Sequence, residues 1–482
     1  DGSDWEYTSA LEYAPDYDLT AGSHTLQVQA GNIAGWSHSG SFTVTVELGA
    51  VTWYVSPSGS DNNDGLSSST AFATIQKAIN VSVDGDEVIV RDGNYTGQDN
   101  RDIRFGGKAI TVRSENGPDK CIIDCGADEN DRHRAFSFFY GEDSDTVLDG
   151  FCIVNGYEGY GGAVKCSGSN PTIKNCVFMD NKSKWNGGAI CTDQNDQSTQ
   201  TIINCKFFNN KAEWNGGAVA CSLGDIVIKQ TIIAGNTSGR SGGGINIWGN
   251  TQQIDISDCV ISDNKSVGTH DSAGGGICVS GGLCTIKNTN ITNNYSHEGG
   301  GVYANNGLSI YNSILWGNYS AAGDQIFIAE ESASNIEIDY CNIENGHLGL
   351  WVDPYLRQDG KWDHVPCLHW GMNNIICDPG FIFNNSYYLK SDSPCIDKGY
   401  AAVPAGLSVS DVEGAARVID GDQDSMSLPD IGSEEFDPVN SRIAVSVSDI
   451  DIYIPHRGVN EGYAEFEIAN GGGKYLNWSI IQ

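Results

Sequence analysis

Residues 176–191 read CVFMDNKSKWNGGAIC, and residues 205–221 repeat this pattern as CKFFNNKAEWNGGAVAC. Each copy places an apolar residue three positions before an Asn and a glycine pair shortly after it. The Asn motif recurs at Asn181, Asn210, Asn236, Asn264, Asn294 and Asn318. The glycine pair recurs in step, at Gly161-Gly162, Gly187-Gly188, Gly216-Gly217, Gly243-Gly244, Gly275-Gly276 and Gly300-Gly301. A period near 27 residues, built from short β-branched runs, predicts stacked coils of strands that together bury one core.

The predicted fold is therefore all-β, with a right-handed parallel β-helix flanked by partial immunoglobulin-like β-sandwich modules. We assign residues 50–440 to the β-helix, with about ten turns between roughly residue 85 and residue 345. An amphipathic segment, 71–81, predicts a helix that caps the first turn, because an uncovered end would expose sheet edges. Residues 378–436 lack the repeat, and we expect them to cap the last turn.

The two ends of the chain alternate apolar and polar residues around Gly-containing turns, which is typical of hairpins. Residues 1–49 resemble part of an immunoglobulin-like or fibronectin-like module, and residues 441–482 resemble the start of another. Because neither segment is long enough for a whole sandwich, we expect the chain to be a segment of a larger multimodular protein.

The register of the repeat also predicts ladders of side chains. Five residues before each repeat Asn, and at the next equivalent place, the side chain is small: Cys176, Cys205, Thr231, Cys259, Thr289, Ser313 and Cys341. We interpret these cysteines as buried thiols that pack as small apolar groups. Cys367, Cys377 and Cys395 lie outside the ladder, and one pair among them is a candidate disulfide. We expect the repeat Asn side chains to stack and to occupy left-handed turns.

Composition limits the partners. The chain of 482 residues has 27 basic and 62 acidic residues, which gives a formal charge of −35. Nucleic acid is excluded as a partner, since phosphate binding needs Lys and Arg on the contact face. No apolar run is long enough to span a membrane. The expected partners are a polysaccharide or surface glycan, neighbouring copies, or other modules of a longer chain.

Several segments then suggest a family. The strings WYVSPSGSDNNDG (53–65) and AFATIQKAI (71–79) resemble the entry segment of bacterial secreted right-handed β-helix proteins of the pectate-lyase-like superfamily. DPGF (378–381), YYLKSDSPCIDKG (387–399) and DIGSEEF (430–436) resemble a C-terminal segment of the choice-of-anchor type. The paired repeats resemble those of polymorphic outer-membrane adhesins. This resemblance implies an extracellular or cell-surface location, but a shared fold does not determine the activity.

Two kinds of ligand site are predicted. Aromatic rings stack on sugars, and the irregular stretch 347–377 concentrates Trp351, Tyr355, Trp362 and Trp370, while Trp185 and Trp214 should lie on neighbouring turns. Alternating carboxylates in a loop are typical of calcium ligands. The candidate calcium ligands are Asp420, Asp422, Asp424 and Asp430, with Asp61 and Asp64 as a second group.

No catalytic residue is singled out by the sequence. Asp180, Glu213, Asp263, Asp271 and Glu298 lie near turns of the repeat, and Lys182, Lys211 and Lys265 each follow a repeat Asn. Such rows are also what a repeat with a solvated face produces. The leading interpretation is an extracellular modular protein whose β-helix is a rigid spacer with a carbohydrate-binding or adhesive surface. The alternatives are a calcium-dependent polysaccharide lyase or glycoside hydrolase, and a structural subunit of a surface layer or filament.

Overall fold

The computed structural model describes residues 22–32, 35–46, 49–193, 199–249, 253–268, 272–329, 336–352, 368–382, 387–403, 406–422, 426–438, 443–445 and 468–470. The chain divides into two compact units, Asp1–Val51 and Thr52–Gln482. In the first unit, strands Gly22–Asn32 and Gly35–Val46 pair antiparallel. In the second, the short strands Ile443–Val445 and Ile468–Asn470 also pair antiparallel. The immunoglobulin-like modules predicted at both ends remain a prediction.

A parallel β-solenoid makes up most of the second unit, which confirms the predicted fold. Sheet 1 has twelve strands: Thr52–Val55, Glu87–Val90, Thr111–Ser114, Val147–Asp149, Thr172–Lys174, Thr199–Ile203, Asp225–Lys229, Gln253–Ser257, Leu283–Lys287, Leu308–Tyr311, Ile336–Asp339 and Leu368–Trp370. Sheet 2 has ten: Gly93–Tyr95, Cys121–Asp124, Cys152–Val154, Val177–Met179, Lys206–Phe208, Ile232–Ala234, Val260–Ser262, Asn290–Thr292, Ile314–Trp316 and Asn342–Ile343.

The chain then passes through two further sheets before it returns to sheet 1. Sheet 3 has five two-residue strands: Tyr157–Glu158, Lys182–Ser183, Lys211–Ala212, Thr237–Ser238 and Lys265–Ser266. Sheet 4 has ten: Ile103–Arg104, Phe136–Phe138, Val164–Ser167, Ile190–Asp193, Val219–Ser222, Ile245–Trp248, Ile277–Ser280, Val302–Ala304, Ile326–Ile328 and Leu350–Val352. Outside the strands, the described helices are Ile75–Val81 and the single 3₁₀ turn Gly346–Gly349.

Strand alternation explains the core. The middle residues of the sheet 1 strands point inward and form a fully buried column from Val88 to Ile338. Phe178 and Phe207 stack in the same way in sheet 2, with ring centroids 4.8 Å apart. The predicted small-residue ladder is fully buried as well. Its polar atoms donate to the carbonyl two residues earlier, as Cys205 does to Ile203 (3.3 Å) and Thr231 to Lys229 (2.7 Å). Cys, Thr and Ser are therefore interchangeable at this corner.

The repeat asparagines form a buried ladder between sheets 2 and 3. The side-chain amide of Asn210 donates to Oδ1 of Asn236 (3.0 Å) and to the Phe178 carbonyl (3.0 Å), and each turn from Asn181 to Asn294 repeats this pattern. The expectation that these residues occupy the left-handed region was wrong. That conformation belongs to the preceding residue, such as Asp180 (φ 57°) and Asn209 (φ 55°), because the ladder Asn must turn its amide into the shaft.

The glycine pairs are required by backbone stacking. Gly187 has φ +69°, and a Cβ on Gly188 would lie 2.0 Å from the carbonyl oxygen of Gly217 on the next turn. Any larger residue at this position would therefore force neighbouring turns apart.

A helix covers the first turn. It begins at Ile75, after Thr74, whose side chain accepts a hydrogen bond from the Lys77 amide as an N-cap. Its buried face consists of Ile75, Ala78 and Ile79. Phe72, inside the predicted helical segment, instead forms a bridge with Val55 of sheet 1.

We had expected the C-terminal segment, residues 378–438, only to cap the last turn. It lies along the side of the shaft and contacts turns from Gln230 to Asn342. Arg417, 1% exposed, pairs with Asp258 at 2.8 Å, and the Ser433 amide donates to the Asn290 side chain. A second apolar cluster, with Ile314, Leu389, Ile396, Ile431 and Phe436, fills this junction.

Candidate functional site

Aromatic rings follow one another along the corner between sheets 3 and 4. The Trp214 amide donates to the Trp185 carbonyl (2.9 Å), so the two WNGG segments lie on neighbouring turns, with ring centroids 6.4 Å apart. Tyr160 lies 4.7 Å from Trp185, and the Arg240 guanidinium lies 4.6 Å from the Trp214 ring. We call Tyr160, Trp185, Trp214 and Arg240 the aromatic column.

The column is open to solvent at its aromatic members. Tyr160 and Trp214 are each 39% exposed, and Trp185 is half-buried. Sequence reasoning identified the two tryptophans but missed Tyr160, which precedes its glycine pair by one residue where the tryptophans precede theirs by two. The Trp185 ring fills the space where Gly159 has no side chain and so reaches Tyr160: a Cβ on Gly159 would lie 2.7 Å from that ring.

A strip of lysines runs beside the aromatic column on sheet 3. The register pairs Tyr157 with Lys182, Lys182 with Lys211, Lys211 with Thr237, and Thr237 with Lys265. We call these five residues the lysine strip. All three lysines are exposed, and within the described ranges no carboxylate lies within 4.0 Å of their ammonium groups. Adjacent like charges on paired strands are unfavourable, so an anionic group bound here would relieve this repulsion.

A cavity of about 290 Å³ opens at the N-terminal end of the strip. Its lining includes the carboxylates Asp128, Glu129 and Asp180, together with Tyr157 and Lys182. The Arg132 guanidinium lies 5.7 Å from the centre of the Tyr157 ring. Carboxyl, ammonium and phenol groups facing one cavity are the side chains that general acid–base chemistry uses.

His133 lies beside this cavity and was not identified from the sequence. Its ring nitrogens contact Asp102 (Nδ1, 2.6 Å) and Asp131 (Nε2, 2.9 Å), and its carbonyl accepts the amide of Tyr157. The two carboxylates fix the orientation of the imidazole, and Asp102 connects the loop 128–134 to the neighbouring turn. Because Asp102 and Asp131 lie far apart in sequence, no local motif indicates this arrangement.

The described members of the predicted aromatic group in 347–377 lie in two different sheets. Trp351 lies in the last strand of sheet 4, in register with Phe327, whereas Trp370 lies in the last strand of sheet 1, with its ring 4.2 Å from His347. Tyr355 and Trp362 lie outside the described residues. The stretch was expected to interrupt the repeat, but its described ends add a strand to sheets 4 and 1.

Two of the four predicted calcium ligands in the C-terminal segment, Asp420 and Asp422, lie close together. Asp420 and Asp422 have carboxylate oxygens within 4.8 Å of each other and of Asp397. Asp397, in the CID sequence of the C-terminal segment, was missed because it lies more than twenty residues earlier in the chain. Asp424 lies outside the described residues.

Asp430 is separate from this group. It is fully buried and accepts the amides of Asp397 (2.8 Å) and Phe436 (2.7 Å). Burial raises its pKa to about 7. Its hydrogen bonds hold the backbone of the C-terminal segment, and it is not a member of the group of Asp397, Asp420 and Asp422.

The second predicted metal group also has a different arrangement. Asp61 accepts the amides of Ala73 (2.8 Å) and Thr74 (3.0 Å) and the Thr74 hydroxyl (2.8 Å), so its carboxylate holds the entry to the first helix. Asp64 accepts the Leu66 amide in an exposed turn, and a hydrogen bond from Thr70 lowers its pKa. Among described residues, neither aspartate joins a group of three metal-ligating side chains.

Comparison with known proteins agrees with the fold. Residues 53–225 match the family model described as Pel9A-like, right handed beta helix region. With the parallel solenoid described above, this match confirms the predicted pectate-lyase-like β-helix. No curated protein matches the chain. No helix of the described chain is long and apolar enough to cross a membrane.

Three solved structures show a distant likeness. A rhamnogalacturonan lyase is 16% identical, with a TM-score of 0.41, and the match covers 69% of this chain and 91% of that one. The pectate lyase Pel9A is 16% identical, with a TM-score of 0.41 and coverage of 80% and 97%. XylC in complex with xylose is 10% identical, with a TM-score of 0.36 and coverage of 80% and 99%. These likenesses leave the activity open.

Proposed function

We propose that this chain binds a polysaccharide along the aromatic column and the adjacent lysine strip. The observation that carries this proposal is the succession of Tyr160, Trp185 and Trp214 on one corner of the solenoid, with the guanidinium of Arg240 next in line. Stacked turns repeat at about 4.8 Å. A row of aromatic rings on successive turns suits a polymer that is itself periodic, since sugar CH groups pack on aromatic faces.

The lysine strip supports an acidic or mixed glycan over a neutral one. The chain has a formal charge of −35, and an anionic polymer is repelled from most of such a surface. Lys182, Lys211 and Lys265 form a local exception in one column. Binding should therefore be confined to this face and should weaken as the ionic strength rises.

The protein's setting follows from the same proposal. A rigid solenoid that carries this face between immunoglobulin-like modules suits an extracellular or cell-surface spacer with an adhesive role. The match of residues 53–225 to a Pel9A-like β-helix model supports a protein that acts on carbohydrate, and it spans the aromatic column except Arg240. Assembly into a surface layer stays a prediction from the sequence.

Glycan-array binding, followed by affinity electrophoresis in gels containing neutral or acidic polysaccharide, tests this function. We expect retention in at least one acidic polysaccharide gel and loss of that retention in the Trp185→Ala/Trp214→Ala double variant. A Trp351→Ala variant is the control, because Trp351 lies in the last strand of sheet 4, five turns beyond the turn of Trp214. Equal retention of all three proteins would contradict the proposal.

A second function is favoured by the cavity. Lys182 as a base and Asp180, Glu129 or Asp128 as acid or metal-binding carboxylates are the groups that an eliminative lyase or a glycoside hydrolase requires. Incubation with a polysaccharide panel distinguishes this from binding alone. Elimination gives products with ultraviolet absorbance, hydrolysis gives reducing ends without it, and Lys182→Ala should abolish elimination.

Calcium is the proposed cofactor, at Asp397, Asp420 and Asp422. Three carboxylates with oxygens within 4.8 Å of one another suit a hard divalent cation with oxygen ligands. The Lys398 ammonium, 3.7 Å from Asp422, is the competing cation. Asp397 lies more than twenty residues before Asp420 and Asp422, so a bound ion would tie these two parts of the C-terminal segment together; its role here is structural.

A further inference from the structure

Cys377 and Cys395 are brought together by a hairpin in the C-terminal segment. Phe381 and Leu389 form an antiparallel bridge, and the Lys390 amide donates to the Gly380 carbonyl (2.8 Å). Below this, the Ser393 hydroxyl donates to the Pro379 carbonyl (2.6 Å). Cys377 and Cys395 lie two residues beyond Pro379 and Ser393, one on each arm of the hairpin.

One side chain of the shaft touches both cysteines. The Nδ2 atom of Asn342, in the last strand of sheet 2, lies 2.9 Å from the carbonyl oxygen of Cys377 and 3.2 Å from Sγ of Cys395. Both residues are therefore held against the same amide group. A disulfide requires a Cα separation of about 4.4–6.8 Å, and two neighbouring antiparallel arms can provide it.

The two sulfurs differ in access. Cys377 is exposed, whereas Cys395 is 0% exposed and packs in the apolar cluster with Ile314 and Phe436. Both are thiols in the structure. An oxidant from solution therefore reaches the sulfur of Cys377 first. The sulfur of Cys395 can then react with the mixed disulfide formed on Cys377.

We propose that Cys377 and Cys395 are a redox pair that closes the base of this hairpin with a disulfide. A low-molecular-weight disulfide such as oxidised glutathione is the oxidant. The sulfur of Cys377 attacks it, forms a mixed disulfide and releases one glutathione thiol. The sulfur of Cys395 then attacks the Cys377 sulfur and releases the second thiol, so that two protein thiols are oxidised and one glutathione disulfide is reduced.

The bond would fix the C-terminal segment to the shaft. Cys377 lies two residues after Ile375, which forms a bridge with Asn342 of the solenoid. From Cys395 the chain continues to Asp397 and Arg417. The cross-link shortens the loop that the unfolded chain can explore, and this stabilises the folded form relative to the unfolded one.

The test uses the full-length protein, reduced, desalted and incubated with oxidised glutathione. Peptide mapping under non-reducing conditions should find a peptide joining Cys377 to Cys395 that is two hydrogens lighter than the sum of its parts. The oxidised protein should melt a few degrees above the reduced one, and the Cys377→Ser variant, altered only at an exposed position, should show no such difference. A stable glutathione adduct on Cys377, an unreacted thiol there, or a bond from Cys377 to Cys367 would each overturn the proposal.

Discussion

Arg417 and Asp258 are 159 residues apart in sequence, and their side chains meet at 2.8 Å in a site that excludes solvent. The guanidinium also donates to the carbonyls of Gly432 and Ser433. Asp258, at a turn of the solenoid, accepts from Asn288 and from Ser408 as well. This one contact joins the C-terminal segment to the middle of the shaft.

Replacing Arg417 by Met should lower the free energy of unfolding by about 3–5 kcal/mol, because Asp258 would remain buried without its cation. Urea denaturation measures the change, and limited proteolysis of residues 378–438 shows whether this segment detaches first. In the Arg417→Met/Asp258→Asn double variant the buried ion pair is replaced by two neutral side chains, so part of the stability should return. A double variant less stable than the single one would contradict the ion-pair account.

The Asn ladder should be most sensitive at its centre. Asn236→Ala removes the acceptor of the Asn210 amide and the donor to the Phe207 carbonyl, and each buried group left unsatisfied costs about 1–3 kcal/mol. The matched control is Asn116→Ala, whose exposed side chain donates to Asp92 (3.0 Å); we expect it to change stability by less than about 0.5 kcal/mol. Equal losses in chemical denaturation would show that burial of the ladder is unimportant.

Binding along the aromatic column should depend on both tryptophans. Loss of one stacked ring is expected to cost about 1.4 kcal/mol, or tenfold in Kd, in isothermal titration with an oligosaccharide identified on the array. Trp185→Ala and Trp214→Ala should leave the unfolding transition almost unchanged, since both rings are partly exposed. A variant that binds normally would exclude its ring from the site.

Calcium should raise the thermal midpoint of the protein, and Asp422→Asn should reduce this effect by removing one of three ligands. Asp64→Asn is the control that separates the two acidic groups, because Asp64 lies in an exposed turn. Differential scanning calorimetry with calcium and with chelator measures both. A response to calcium that persists in Asp422→Asn and disappears in Asp64→Asn would assign the ion to the entry segment.

The buried carboxyl of Asp430 predicts a pH dependence. Burial raises its pKa from 3.8 to about 7. At a pH between these two values, the carboxyl is protonated in the folded state and ionised in the unfolded state. The stability it contributes is complete below about pH 4 and is lost as pH rises towards about 7. Unfolding free energies measured in chelator-containing buffers should show this decline, and Asp430→Asn should flatten it.

The solenoid was predictable because its information is periodic. The spacing of Asn181, Asn210 and Asn236 alone fixes which residues stack, and the register of sheets 2 and 3 follows from it. The pairing of Trp185 with Trp214 was predictable for the same reason. The left-handed positions were misplaced by one residue, because sequence spacing gives the period of a ladder and does not show which member of a turn faces inward.

The contacts of the C-terminal segment could not be predicted, because they join residues that no period relates. Asp397 meets Asp420 and Asp422, and Arg417 meets Asp258, only after the segment has folded back. Tyr160 and Arg240 were missed for a different reason. Neither residue stands at the position of the repeat motif that the tryptophans occupy. Only the stacking of the turns shows that both lie next to the tryptophans.

The C-terminal segment has one further consequence. It binds side chains from several coils, including Gln230, Asp258, Asn290, Asn312 and Asn342, each at a fixed height. Duplication or deletion of a repeat between Gln230 and Asn342 would shift these partners by a whole coil and break the match. In related proteins that share this segment, variation in the number of repeats should therefore be found before Gln230. There a turn can be added or removed without changing the contacts between the C-terminal segment and the solenoid.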